Sequence, residues 1–337
     1  MRRLPIYFLV DVSESMVGDP VEQVQDGIAT IVKALRADPY ALETVFVSVI
    51  AFAGKAKKLT PLLELTQFYP PKLPVGGGTS LGNALAFLMD DVEASVQKTT
   101  AEAKGDWKPI VFLFTDGNPT DEYQAAFDRW NRGYRRRASL VVVSLGDNAN
   151  LNIFGKITEN VLALKSTDAA SFRQFFKWVT ASIKTSSVSV REAGSDELQL
   201  APIQDDALVK IDLDKYLPAK IDDNFAVILA KCQTTERHYL IKYQHELRSY
   251  RLVGAFPVDS SYFELAEGRQ AVGKVNTSRL QGFPACPCCG NQYGFSTCSC
   301  GGIHCGSESR VQTCPWCGQQ AEYGLGGGDL DVARTRG

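Results

Sequence analysis

The sequence predicts an α/β protein: a doubly wound, mainly parallel sheet over residues 1–185, followed by a small β-rich C-terminal domain. Two observations carry this. Continuous apolar runs alternate with amphipathic segments through the first half of the chain, as buried parallel strands covered by helices do. Eight of the nine cysteines then crowd between Cys286 and Cys317, where a module too small for a large core needs another source of stability.

The elements follow in order. Leu4 to Val10 is a strand-like apolar run, and Asp19 to Leu35 places Val21, Val24, Ile28, Ile31, Val32 and Leu35 at helical spacing. Thr44 to Phe52 is rich in β-branched residues, with Ala56 to Leu63 as a short edge strand. Ser80 to Val96 is helical, with Thr79 or Ser80 as its N-cap. Ile110 to Thr115 is an apolar strand, Glu122 to Arg132 a helix, Ala138 to Leu145 a strand and Ser171 to Ile183 a last helix. Residues 186–204, rich in Ser, Thr and charge, read as a linker. Within 205–280, Phe225 to Lys231, His238 to Tyr243 and Tyr250 to Phe256 read as short strands, with a turn at Gln233–Arg237. Residues 281–323 form the cysteine module and 324–337 a Gly-rich, flexible tail.

At 337 residues, 45% apolar and 22% charged, the chain has the composition of a folded protein of two or three domains. A net charge of −2 gives no overall electrostatic reason to expect nucleic acid or an anionic membrane as a partner. The run after Arg2 and Arg3 is seven residues long and ends at Asp11, so a buried strand explains it better than a signal peptide. No other stretch approaches the roughly 18 apolar residues of a membrane span. The expected compartment is the cytoplasm, where clustered cysteines bind metal more often than they form disulfides.

Three polar clusters fall at the carboxyl ends of predicted strands, where open α/β sheets bind ligands. Asp11, Ser13 and Ser15 follow the first strand; Gly76-Gly77-Gly78-Thr79-Ser80 precedes a helix; Asp116 ends Phe114-Thr115-Asp116-Gly117. Singly, each is an ordinary turn. Together, two carboxylates and three hydroxyls form a hard-oxygen set that selects Mg²⁺, or Mn²⁺ or Ca²⁺, over zinc or copper.

DVSESM, GGGTS and FTDGNPTD, in this order, resemble the metal-ion-dependent adhesion site of the von Willebrand factor type A domain. The resemblance covers about residues 1–185 and implies a Rossmann-like fold. It also implies that Ser13, Ser15 and Thr79 ligate the ion directly or nearly so, with Asp11 and Asp116 acting directly or through water. The open coordination position would take a carboxylate from a partner protein.

The cysteines read Cys286-Pro-Cys288-Cys289-Gly, Cys298-Ser-Cys300-Gly-Gly-Ile-His304-Cys305 and Cys314-Pro-Trp-Cys317-Gly. Cys286, Cys289, Cys314 and Cys317 form two C-P-x-C-G knuckles suited to one structural Zn²⁺ in a zinc-ribbon-like module. A second Zn²⁺ would draw on Cys298, Cys300 and Cys305, with His304 or Cys288 as fourth ligand; a cross-braced sharing of the pairs is an alternative. Arg310 is the one basic residue between Cys286 and Cys317, which argues against nucleic acid. Cys232, standing alone, reads as a small buried hydrophobe.

A type A domain followed by a cysteine-rich module is similar to the TerY-like proteins of bacterial tellurite-resistance systems. That resemblance implies a metal-chelating C-terminal domain, a stress-response phosphorylation system, and a protein kinase and a serine/threonine phosphatase as partners. No nucleophile elbow, phosphate loop or kinase signature is present in the sequence. The expected role is therefore a non-enzymatic, metal-dependent protein-binding scaffold. The alternatives are a phosphohydrolase using the same Mg²⁺ site, or a direct binder of toxic metals or oxyanions.

Overall fold

A computed structural model describes residues 2–116, 118–145, 151–164, 166, 168–192, 198–203, 208–211, 225–266, 273–323 and 329–335. The chain forms two compact units. The first comprises Met1–Val12, Asp19–Pro74 and Thr79–Ile221; the second comprises Ser13–Gly18, Val75–Gly78 and Asp222–Gly337.

The first unit holds a seven-stranded sheet of β1 (Leu4–Asp11), β2 (Val45–Phe52), β3 (Ala56–Glu64), β4 (Ile110–Thr115), β5 (Ser139–Ser144), β6 (Val161–Leu164) and β7 (Leu208–Lys210). Their order is β3-β2-β1-β4-β5-β6-β7, so the chain winds outward on both sides of β1. Strands β2, β1, β4, β5 and β6 are parallel neighbours, while β3 and β7 close the edges antiparallel. The helices are α1 (Asp19–Arg36), α2 (Pro39–Thr44), α3 (Leu81–Ser95), α4 (Gln124–Arg129) and α5 (Ala169–Glu192).

Successive side chains of a strand face opposite sides, and here both sides are apolar. Val111 and Leu113 of β4 join a buried cluster with Leu85, Leu88 and Met89 of α3 and Phe127 of α4. The alternate residue Phe114 meets Phe175 and Phe176 of α5 edge-on, at centroid distances of 5.6 and 6.1 Å. Burial on both faces explains why these strands read as unbroken apolar runs.

The second unit contains β8 (Phe225–Lys231), β9 (His238–Glu246), β10 (Ser249–Pro257), α6 (Ser260–Leu265), β11 (Gly273–Asn276), β12 (Leu280–Gln281), β13 (Phe295–Thr297), β14 (Ile303–Cys305), β15 (Val311–Thr313), β16 (Gln320–Glu322) and β17 (Asp331–Arg334). Six of these strands make one sheet in the order β12-β10-β9-β8-β14-β13, and β11-β17 and β15-β16 are two-stranded ribbons.

Four boundaries differ from those expected. Helix α5 continues through Glu192, into the segment read as a linker. Its buried face there is made of hydroxyls: Ser187 shares a 2.8 Å hydrogen bond with Thr44, and Ser186 donates to the Gln199 carbonyl at 2.9 Å. Composition alone marks such a face as loop. Strand β7 belongs to the first sheet, paired with β6, rather than to the later β-rich segment. The 205–280 and 281–323 segments are not separate, because β14 pairs directly with β8. The expected flexible tail contributes β17, paired with β11 over four residues. Among the described residues, no helix is long and apolar enough to cross a membrane.

Gly27, inside α1, marks the closest helix contact of the first unit: a Cβ there would lie 2.0 Å from the Phe176 ring. That ring is buried among Phe172, Phe175 and Phe114 and has nowhere to move. Glycine to alanine in a helix normally gains about 1 kcal/mol. Here overpacking reverses the sign, and Gly27→Ala is expected to lower stability by about 1–3 kcal/mol, read as a shift in the urea or thermal unfolding midpoint.

Candidate metal centres

The strand order turns between β1 and β4, and the carboxyl ends of these two strands carry the first predicted site residues. The register Val10↔Phe114 brings Asp11 and Thr115 to adjacent strand ends. There the Thr115 hydroxyl donates to Asp11 Oδ2 at 2.6 Å, and both residues are buried. Asp116 follows Thr115 in a half-buried bend.

Thr79 lies just before α3. Its N–H donates to Thr120 Oγ1 at 2.9 Å, and its carbonyl accepts from the N–H groups of Thr120 (2.8 Å) and Leu81 (3.1 Å). The backbone is therefore pinned on both sides. The hydroxyl is not: Thr79 Oγ1 is buried and has no hydrogen-bond partner among the described residues. An unsatisfied buried hydroxyl costs about 1–3 kcal/mol, a cost that a cation ligated at that oxygen would remove.

Ser80 occupies the N-cap position of α3 but supplies no capping bond. The carboxylate of Asp121 caps the helix instead, accepting from the Gly82 N–H at 3.1 Å and the Asn83 N–H at 2.9 Å. Thr120 and Asp121 thus fix Thr79 and the first turn of α3. Their role was visible in the sequence only as the tail of FTDGNPTD.

Ser13 precedes and Ser15 lies within a short 3₁₀ turn, Glu14–Met16, closed by Met16 N–H to the Ser13 carbonyl at 2.9 Å and Val17 N–H to the Glu14 carbonyl at 3.2 Å. The two serine hydroxyls lie side by side, 3.0 Å apart and buried. Glu14 is also buried and accepts a hydrogen bond from the Tyr262 hydroxyl. Burial pushes its carboxyl up to about 8, against hydrogen bonds from Tyr262, Thr335 and the Gly78 amide that pull it down.

The thiols gather into two groups of four: Cys232, Cys286, Cys289 and Cys305, and Cys298, Cys300, Cys314 and Cys317, with all sulfurs of a group within 4.8 Å of one another. Cys298–Cys317 and Cys300–Cys314 are 3.8 Å apart and Cys289–Cys305 4.0 Å. A tetrahedron with Zn–S bonds of about 2.3 Å has sulfur–sulfur edges of about 3.8 Å. A disulfide would need about 2.0 Å. The spacing fits four thiolates around one zinc in each group.

This grouping departs from the first pairing expected and agrees with the cross-braced alternative, in which the pairs are shared differently between two sites. The knuckle Cys286/Cys289 does not share a cluster with Cys314/Cys317, and Cys305 does not join Cys298 and Cys300. His304 is no part of either group. Alternation along β14 turns it away from Cys305, and its ring meets the Cys305 carbonyl through Nδ1 at 3.0 Å and the Tyr323 hydroxyl through Nε2 at 3.1 Å. Cys288 lies outside both groups, packed against the apolar core of the second unit.

Cys232 is the ligand that sequence reasoning missed. In each of three turns the N–H of the leading cysteine donates to the carbonyl five residues on, at 2.7 Å for Cys232 to Arg237, 2.7 Å for Cys286 to Asn291 and 2.9 Å for Cys314 to Gln319. The residue four positions on returns its N–H to the cysteine carbonyl. That fourth position has φ of +55° at Glu236 and +74° at Gly290 and Gly318. Cys232 therefore heads a third knuckle, disguised by a missing second cysteine and by Glu236 in place of glycine. Burial raises its thiol pKa, but hydrogen bonds from the Thr235 hydroxyl and the Thr235 and Thr234 amides outweigh this and bring it down to about 7.

A doubly wound sheet with an acidic, hydroxyl-rich loop at its turning point, joined to a thiol-rich β unit, defines a metal-binding α/β protein of the adhesion-domain class. The model of the von Willebrand factor type A domain matches residues 6–178, and the chain belongs to that family. The TerY-C metal binding domain matches residues 222–337, which completes the TerY-like architecture expected from the sequence. No curated protein matches the chain. Similar solved structures include a von Willebrand factor type A protein from Catenulispora acidiphila, at 14% identity over 76% of this chain and 66% of that one, with a TM-score of 0.43. Proximal thread matrix protein 1 from the mussel byssus is 16% identical over 54% of this chain, with a TM-score of 0.41, and the chain spans 48% of its length.

The two groupings of ligands predict different outcomes for two substitutions. Cys232→Ser is expected to reduce thiol-bound metal from two ions per chain to one, while His304→Ala leaves the count at two. Elemental analysis of the purified variants checks both.

Proposed function

We propose that the protein is a metal-dependent binding scaffold rather than an enzyme. Asp11, Ser13, Ser15, Thr79 and Asp116 would hold Mg²⁺, or Mn²⁺ or Ca²⁺ in its place, and a carboxylate from a partner protein would complete the ion's oxygen shell. The observation that carries this reading is the buried hydroxyl of Thr79, held by a fixed backbone with no hydrogen-bond partner among the described residues. The donor set supports it, since every candidate ligand is a hard oxygen and none is nitrogen or sulfur.

Two Zn²⁺ ions, one for each group of four cysteines, would act as structural staples, because a closed four-thiolate shell leaves no position for substrate. In the TerY-like setting the partners would be a protein kinase and a serine/threonine phosphatase of a cytoplasmic tellurite-resistance or stress-response system. The ion would bridge scaffold and partner, and the protein's own groups would orient it.

Capture of the kinase or phosphatase by the full chain should depend on Mg²⁺ and fall at least tenfold in the Asp11→Ala/Ser13→Ala double variant, with zinc content unchanged. Capture that survives both this variant and Mg²⁺ withdrawal would sink the reading. Turnover of a generic phosphatase substrate, lost in Asp11→Ala, would favour a phosphohydrolase instead.

A further inference from the structure

The serine loop Ser13–Gly18 is an integral part of the second unit. Within that unit β9 alternates cleanly. Tyr239, Ile241 and Tyr243 enter one apolar cluster, and Leu240 enters another with Val227, Tyr262 and Val17. Lys242 follows Leu240 by two residues, so its side chain shares that second apolar face. It is only 3% exposed. A lysine in such a place is costly unless its ammonium is fully bonded.

Two of the bonds it makes lie in the serine loop. Lys242 Nζ donates to the Ser15 carbonyl at 2.5 Å and to the Val17 carbonyl at 3.1 Å, and stands 4.6 Å from the centroid of the Phe225 ring. Tyr262 of α6 donates its hydroxyl to Glu14, the residue between the two serines. The Val17 side chain is packed in the same apolar cluster as Tyr262. Three consecutive features of the loop, Glu14, the Ser15 carbonyl and Val17, are thus held from β9 and α6. The two hydroxyls, 3.0 Å apart, sit on the backbone so held.

We infer that Lys242 and Tyr262 are positioning residues for the candidate serine ligands Ser13 and Ser15, so that cation affinity depends on the bonds these two side chains make to the serine loop. The inference rests on the cation-site reading above. Neither residue touches the ion. Lys242 fixes the Ser15 carbonyl, and with it one of the two peptide planes that flank the Ser15 Cα, while Ser13 is tied to the same turn through the Met16 N–H on its carbonyl and through the Ser15 hydroxyl. An apolar residue of the same length would fill the space and satisfy neither the Ser15 nor the Val17 carbonyl.

The test uses the full chain loaded with zinc and titrated with Mn²⁺, followed by the loss of the free-Mn²⁺ electron paramagnetic resonance signal. Lys242→Met is expected to weaken Mn²⁺ binding at least tenfold while two zinc ions per chain are retained. Lys242→Arg, which keeps N–H donors at the same place, should recover to within about threefold of wild type, a rescue that simple loss of packing would not allow. If Lys242→Met fails to fold, Tyr262→Phe removes the bond to Glu14 at almost constant volume and should also weaken Mn²⁺, by a smaller factor. Wild-type affinity in a folded Lys242→Met chain, or in Tyr262→Phe where that is the variant available, would overturn the inference. Equal Mn²⁺ binding by wild type and Asp11→Ala is a different failure: it would remove the cation-site reading, and the inference with it.

Discussion

Four sulfur atoms held about 4 Å apart repel one another once ionised, a repulsion that a cation bound between them would remove. Much of the second unit hangs on this constraint. One cluster gathers the β8–β9 turn through Cys232, the segment after β12 through Cys286 and Cys289, and the end of β14 through Cys305. These are the pieces that bring β14 alongside β8 and extend a three-stranded meander into a six-stranded sheet. The other cluster ties the loop after β13 to the turn between β15 and β16. The strands nearest the thiols, β13 to β16, are three residues long each and bring little apolar core of their own, for which metal–thiolate bonds would substitute.

The oxygen-rich residues obey a different logic. Asp11 and Thr115 are placed by parallel register, Thr79 by paired bonds with Thr120, and α3 by the carboxylate of Asp121. All of these are supports from the sheet and its connecting loops. The serines take theirs from β9 and α6. A binding loop held from one side only is easily loosened, and low local stability is common where a protein must meet a partner.

Most of the first unit was legible in the sequence because its elements obey simple periods. Strand β4 was read to the residue, from Ile110 to Thr115, since a strand buried on both faces is an unbroken apolar run between polar ends. The candidate oxygen ligands stand out for a related reason: three short polar motifs each interrupt an apolar element at its end. What was missed lacks such contrast. Strand β7 is three residues long and pairs with a strand more than forty residues earlier. The end of α5 buries serines, which score as loop. The leading pairing of cysteines differs because likeness of motif does not imply a shared ion: the two C-P-x-C-G knuckles belong to different groups, and Cys232 reaches Cys305 through the pairing of β8 with β14. Neighbours on a strand such as His304 and Cys305 face opposite ways, a rule that the sequence alone could have supplied.

Ser15 and Lys242 are 227 residues apart in the chain. Ribosomes add about 5–20 residues per second, so the lysine emerges roughly 10–45 s after the loop it holds. Strand β1 pairs with β2 and β4, all of which precede Lys242 in the chain, so these strands can pair while the serines still lack the bonds from β9. A nascent or prematurely terminated product would therefore carry strands of the type A sheet with a serine loop not yet held, and under the positioning inference it would bind its cation, and a partner through it, only after the second unit has been made.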